Sequence, residues 1–222
     1  MNHTKSDHAL IVIKAALNAV PIVGGSIASL IGDYVPLSTQ KSIERSSELL
    51  ASEVVRLKDR LNLEAVNKDE FSELFKSCYL TIVRTSNEMK LRAAVAILVN
   101  LMLRDNDSEK LSYTELDHLT RCLESLSIGA ITALGAAVKM VKELNIQPDG
   151  EGNYRFNFEQ LYAKSQLIEA SLFMGFVGEL SMYNLLRING QPPIRTPQYG
   201  NHPLELTPLG KRFVERLLET QT

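Results

Sequence analysis

Histidine, cysteine, serine and acidic side chains carry most enzyme chemistry, and in this sequence they form no catalytic pattern. The four histidines share no spacing typical of a metal site; they are His3, His8, His118 and His202. Ser38 and Lys41 match S-x-x-K, but the companion S-D-N and K-T-G patterns are missing. The phosphate-binding G-x-x-x-x-G-K-S/T and the zinc-binding H-E-x-x-H are missing as well. We therefore expect no catalytic residue, no cofactor and no metal, and a protein that is not an enzyme.

The cysteines and the distribution of charge narrow the classes of protein to which this chain could belong. Cys78 and Cys122 lie far apart with no C-x-x-C pattern, which is typical of buried thiols in a reducing cytoplasm. The net charge over 222 residues is −2, and no part of the chain is basic. Residues 1–36 and 37–110 each sum to 0, and residues 111–222 sum to −2. This distribution argues against nucleic-acid binding driven by charge alone.

The most unusual stretch is residues 15–32, which carry no formal charge over 18 positions. A bilayer crossing needs about 20 apolar residues, and Pro21 and the pair Gly24 and Gly25 interrupt any helix here. These interruptions favour two short helices that form a hairpin buried in a soluble core. A membrane-inserting or self-associating segment is one alternative, and a cleaved signal peptide is another.

Small residues in this segment recur at four-residue spacing, which lets helix backbones approach closely. The residues expected at a membrane or self-association contact are Val20, Pro21, Gly24, Gly25, Ala28, Ser29 and Gly32.

Residues 37–110 predict a bundle of amphipathic helices, with few aromatic residues and no tryptophan. Helices are expected over 39–61 and 68–84, and residues 93–103 predict a central buried helix. That helix is apolar except for Asn100, which must find a hydrogen-bond partner inside the bundle. The expected helix caps are Ser38, Asn67, either Ser86 or Asn87, Ser112 with Glu115, and Ser127.

The order of elements after Ser127 is typical of a winged helix, a helix-turn-helix variant with a β-hairpin wing. A helix is followed by a loop over 145–157, and helices are expected over 158–164 and 166–186. A turn-rich hairpin and a helix opened by Thr207 and Pro208 complete the order. Gly175 and Gly178 fall inside the expected recognition helix, where they predict close helix packing.

DNA binding by this module would depend on a small set of cations: Arg187, Arg195, Lys211 and Arg212, with His202 beside them. A strong binder makes about 6–10 phosphate contacts. The expected recognition helix also contains Glu169 and Glu179. A winged helix that is reused for packing or for protein recognition is therefore favoured over DNA contact, since the same fold can serve different functions.

The ending Leu206–Phe213, LTPLGKRF, resembles the LTPLGRAF terminus of the bacterial Abi-alpha (abortive-infection alpha) group. Two further segments resemble segments of the same group in order and spacing. They are Asn87-Glu88 leading into 96–100, and residues 123–127 leading into Ile131. The resemblance covers residues 40–218. It implies a role near phage defence and transfers no catalytic residue.

Together these observations predict an all-α protein, with an N-terminal helical bundle and a winged-helix-like C-terminal module that has a possible small β-hairpin. The expected domains are a hairpin over 1–36, a bundle over 37–110 and the module over 111–222. The leading hypothesis is a non-enzymatic phage-defence protein whose C-terminal part binds a partner while residues 9–35 act on a membrane or in self-assembly. The alternative is a winged-helix transcriptional regulator. We expect a cytoplasmic protein that can associate with the membrane, with a protein partner or a second copy as ligand and nucleic acid as a weaker candidate.

Overall fold

The computed structural model of this chain describes residues 37–62, 66–165, 169–190 and 199–219. The apolar segment, with its seven expected contact residues, lies outside the described residues, as does Arg195. Backbone contacts divide the chain into two compact units, 1–124 and 125–222. The three-part domain division stays a prediction. Among the helices of the described residues, none has both the length and the apolarity needed to cross a bilayer.

The first unit contains α1 (Leu37–Arg56), α2 (Lys68–Arg84), α3 (Glu88–Leu101) and α4 (Tyr113–Ser125). α1 begins before the expected cap Ser38, which lies inside the helix. The helix also ends five residues earlier than expected. The chain turns after Arg56, and Leu61 pairs with Leu103 in an isolated β-bridge at the end of α3. Because Leu103 is 42 positions away from Leu61, no local pattern in the sequence of α1 predicts where the helix ends.

The caps of the next three helices confirm the predictions. Asn67 accepts hydrogen bonds from the backbone N–H groups of Asp69 and Glu70, and Asn87 accepts one from that of Lys90. Ser112 and Glu115 form the reciprocal capping box expected before α4. These side chains replace the hydrogen bonds that the first turn of a helix lacks, so α2 and α3 begin where the sequence predicts.

α3 is the central helix of this unit, and it contacts both α1 and α2. Most of its side chains are buried: Leu91, Ala93, Ala94, Val95, Ile97, Leu98, Val99, Asn100 and Leu101. The amide of Asn100 finds the hydrogen-bond partners that its position requires. Its Nδ2 donates to the carbonyl of Glu109 at 2.9 Å, and its Oδ1 accepts the N–H of Leu111 at 2.8 Å.

The second unit begins with α5 (Ile128–Glu143), capped by Ser127 as predicted. The elements that follow are β1 (Tyr154–Asn157), α6 (Phe158–Ser165), α7 (Ala170–Met182), β2 (Leu186–Ile188), β3 (Pro203–Leu206), α8 (Pro208–Phe213) and a π-helical turn, Val214–Leu218. The strands form an antiparallel sheet in the order β1-β3-β2. Thr207 caps α8 as expected, through a hydrogen bond from Gly210 N–H.

Three expected boundaries in this unit are wrong, and one of them is the start of α7, which begins at Ala170 instead of residue 166. The loop over 145–157 ends in strand β1, because Phe156 turns into the core and the segment pairs with β3 from Pro203 to Leu206. α7 ends at Met182 instead of Leu186. Asn184 takes the left-handed conformation with φ 55°, which stops the helix and redirects the chain into β2. The described part of the chain is thus mostly helical with one small sheet.

Candidate recognition surface of the C-terminal unit

Burial makes the two cysteines of the first unit poor nucleophiles. Both Cys78 and Cys122 are fully buried free thiols, and desolvation raises the pKa of each to about 12. Cys122 Sγ lies 3.6 Å from Nε2 of His118, one helical turn earlier on α4. A thiol that stays protonated is a poor nucleophile, so this pair is a packing contact. Among the described residues, no three His, Cys, Asp or Glu side chains are grouped to hold a metal ion.

A small cavity lies between α1, α2 and α3, against Leu50, Phe75 and Leu98. Its volume is about 20 Å³, which is room for about one water molecule, and its walls are apolar. Sites for small organic molecules are usually about 300–1,000 Å³. The cavity is therefore a packing gap of the bundle.

One face of the sheet carries two arginines, and acidic side chains lie close to both of them. Register places Arg155, Glu205 and Arg187 side by side across β1, β3 and β2. Arg155 contacts Asp149 at 3.0 Å and Glu205 at 2.9 Å, and Glu205 is only 5% exposed. Arg187 donates to Asn184 Oδ1 at 2.9 Å and lies 3.8 Å from Glu151. Three acids against two arginines give this face a net charge of −1, which is unsuited to a phosphate backbone.

Two of these acids, Asp149 and Glu151, lie in the loop that precedes β1. The side chain of Asp149 holds this loop in place. Its Oδ1 accepts the backbone N–H groups of Asn153 at 3.0 Å and Glu151 at 2.9 Å. The hydrogen bond from the Asn153 backbone, helped by that from Glu151 and by the charge of Arg155, lowers the pKa of Asp149. The carboxylate is thus a fixed structural anion beside the sheet.

Two of the remaining expected DNA contacts, Lys211 and Arg212, lie on α8. Lys211 on α8 donates to the Tyr154 hydroxyl at 2.8 Å, with its Nζ 4.9 Å from the ring centroid. Successive residues of a strand point to opposite faces, so Tyr154 and Arg155 mark opposite sides of the sheet. Lys211 therefore approaches the sheet from the side opposite the arginine row. Arg212 is exposed on α8.

His202, at the start of β3, is buried, and its Nε2 makes no hydrogen bond to the described residues. Arg187 and Lys211, which lie on opposite sides of the sheet, therefore do not form one basic patch.

α7 is held against α5 by a buried apolar stripe and by a hydrogen-bonded carboxylate. Phe173, Val177 and Leu180 are fully buried. The Glu179 carboxylate accepts hydrogen bonds from the N–H of Ser127 at 2.8 Å and from its hydroxyl at 3.0 Å. An acid at a helix N-terminus is also favoured by the helix dipole. The charge of Glu179, which the sequence analysis counted against DNA binding, thus has a structural role within the unit.

The opposite side of α7 carries two exposed apolar side chains. Leu172 is 55% exposed and Met182 is 82% exposed. A Cβ added at Gly175 or Gly178 would meet nothing within 4 Å, so the predicted close packing of these glycines is wrong. At 100° per residue, Leu172, Gly175, Gly178 and Met182 share an arc of about 120°, away from the buried stripe, and Ser171 and Glu179 fall within the same arc. We call these four residues the α7 outer face.

The sequence of α7, ASLFMGFVGELSM, contains no lysine, arginine or histidine. Its only charge, Glu179, is engaged by Ser127. The side of α7 that faces away from the core therefore has two exposed apolar side chains, an exposed serine and one acid already engaged by Ser127, and the helix has no cation.

No known protein family, curated protein or solved structure matches this chain. The similarity to the abortive-infection group stays a prediction from the sequence. The α7 outer face was not among the residues expected from the sequence, although its spacing of apolar and small residues was visible there. Because apolar residues occur on every side of α7, its sequence alone does not show which side faces solvent.

Proposed function

We propose that this chain is a non-enzymatic bacterial defence protein of the abortive-infection type, and that its C-terminal unit is a winged-helix-like module that recognises a protein. The order α5, β1, α6, α7, β2, β3 and the sheet order β1-β3-β2 support the winged-helix interpretation, in which α7 is the recognition helix. The short ending Leu206–Phe213 supports the defence role by resemblance alone.

The observation that carries the proposal is the composition of the α7 outer face. A helix that reads DNA needs cations to contact phosphates and polar side chains to contact bases. α7 instead presents Leu172 and Met182 around two glycines. Exposed apolar patches mark interaction sites, and the centres of protein interfaces are depleted of charge and enriched in methionine. A protein surface is the ligand that suits this face.

The experiment is a phage challenge of cells that express the full chain. Replacing Leu172 and Met182 by glutamate places two charges on the α7 outer face, which a protein interface would have to desolvate. We expect this double variant to lose protection while retaining the circular dichroism of the parent. Gln147→Glu, in an exposed loop of the same unit, is the matched control and should protect fully. Full protection by the double variant would contradict the proposal.

A direct measurement places a photo-crosslinking amino acid at position 172, with position 147 as the control. We expect one protein to be crosslinked in infected cells at position 172 and none at position 147. Crosslinking of the same proteins at both positions would show that the α7 outer face has no specific partner.

The role of residues 9–35 is the second part of the proposal. We propose that a trigger releases this apolar, Pro- and Gly-interrupted segment, and that it then acts on a membrane or in self-assembly. Its support is the charge-free run over 15–32. The test is leakage of liposomes by the full chain and by a chain that lacks residues 1–36. Leakage that is unchanged by the deletion would refute membrane action.

The order of elements also favours a second candidate, a winged-helix regulator that binds DNA. That function requires duplex binding that weakens steeply with salt and is reduced by Arg187→Ala and Arg195→Ala. From the acids that surround Arg187 we expect no such binding to a mixed-sequence duplex at low salt. Salt-sensitive binding that Arg187→Ala abolishes would favour the regulator over the defence protein.

A further inference from the structure

The methionines of this chain differ sharply in their access to solvent. Met102 and Met140 are buried, and Met89 and Met174 are partly covered. Among the methionines in the described ranges, Met182 stands apart at 82% exposure. Oxidation of a methionine follows the exposure of its sulfur, so the described methionines should not react equally with an oxidant.

The position of Met182 in the fold keeps its thioether open. It is the last residue of α7, and the chain turns away immediately after it at Asn184. Gly175 and Gly178, which share its side of the helix, have no side chains that could cover it. A small oxidant can therefore approach the sulfur without any rearrangement of the unit.

We propose that Met182 is a modification site, at which a peroxide converts the thioether to the sulfoxide. The sulfur lone pair attacks one oxygen of hydrogen peroxide, an S–O bond forms and the O–O bond breaks. The departing oxygen leaves as water after proton transfer. Sulfur is oxidised by two electrons, and the peroxide is reduced by the same two. The product is polar and accepts hydrogen bonds, and methionine sulfoxide reductases can reverse the change.

The consequence of this reaction rests on the proposed function of the α7 outer face. A sulfoxide within an apolar contact is a polar group that must be buried without a hydrogen-bond partner. Oxidation of Met182 therefore weakens the contact with the protein partner, and reduction restores it. The two buried cysteines, whose thiols have a raised pKa, stay unreactive in the same conditions.

The test treats the folded full chain with increasing hydrogen peroxide and maps the added oxygen by peptide mass spectrometry. We expect Met182 to be oxidised at least about tenfold faster than Met102 and Met140, and faster than Met89 and Met174. Unfolding the chain in urea should abolish these differences. Equal rates in the folded protein, or faster reaction at Met89 or Met174, would overturn the assignment.

A second arm addresses the consequence, with Met182→Leu as the matched variant. Crosslinking from position 172 should fall when the parent protein is oxidised, and it should not fall when the Met182→Leu protein is oxidised. Equal loss in both proteins would overturn the link between Met182 and the contact. Selective oxidation of Met182 without any partner at position 172 would instead contradict the proposed function and leave the modification site established.

Discussion

Asn100 gives the sharpest test of how the first unit is held together. This amide is 6% exposed on the central helix α3, and it makes two hydrogen bonds to the chain that follows the helix. Its Nδ2 donates to the carbonyl of Glu109 at 2.9 Å, and its Oδ1 accepts the N–H of Leu111 at 2.8 Å. Asn100→Ala removes both bonds and leaves a buried N–H at Leu111 without a partner.

The expected loss in the free energy of unfolding follows from the two backbone groups that lose their hydrogen-bond partners. An unpaired buried N–H costs about 1–3 kcal/mol, and the partly buried carbonyl of Glu109 loses a net hydrogen bond of about 0.5–1.5 kcal/mol. We expect Asn100→Ala to lower the free energy of unfolding of the first unit by about 2–4 kcal/mol. Asn106→Ala, exposed in the same loop, is the matched control and should change it by less than about 0.5 kcal/mol.

Urea unfolding followed by circular dichroism measures the stability, and hydrogen exchange measures the Leu111 amide directly. In the Asn100→Ala protein this amide should exchange faster, because the bond that protects it is gone. If Asn100→Ala unfolds at the same urea concentration as Asn106→Ala and leaves Leu111 protected, the buried amide does not hold this loop and the reasoning fails.

Three further predictions concern individual groups. Glu179→Ala should lower the free energy of unfolding of the second unit by about 1.5–3 kcal/mol in urea, and adding Ser127→Ala should cost less than the sum of the two changes, since the residues are partners. The lowered pKa of Asp149 stabilises the fold above the unfolded value of about 3.9 and loses that contribution as the pH falls through the folded value. The stability difference between the parent and Asp149→Asn should therefore shrink on acidification, and a constant difference would contradict this sign. With thiol pKa values of about 12, Cys78 and Cys122 should not react with an aromatic disulfide reagent at about pH 8 until urea exposes them.

Local hydrogen bonding explains which parts of the fold the sequence predicts well. The caps at Asn67, Asn87 and Thr207 each bond a backbone group within three residues, so a short pattern contains the whole interaction. The reciprocal cap of α6 is of the same kind. Asn157 and Gln160 exchange two hydrogen bonds of 2.9 Å, although the cap at Asn157 was not among those predicted from the sequence.

Interactions between distant residues explain the features that the sequence did not predict. Strand β1 exists because Tyr154–Asn157 meets β3 some 50 residues later, and no local pattern encodes that meeting. The acids that neutralise Arg187 come together through register across the sheet and through the turn before β1. A count of cations along the chain therefore shows that they are few, but it does not show which acids from other strands and loops lie beside them.

The segment that carries the family resemblance is explained by the fold itself. Leu206 is buried at the end of β3, Thr207 caps α8, and Pro208 occupies the first turn, where a missing N–H costs nothing. A Cβ at Gly210 would lie 2.0 Å from the carbonyl oxygen of Leu185, so only glycine fits between β2 and α8. Any chain that joins a strand to a helix in this geometry needs similar residue types at these places. The ending therefore reports architecture, and the evidence for what the unit binds must come from the α7 outer face, where nothing in the fold requires Leu172 or Met182 to be apolar.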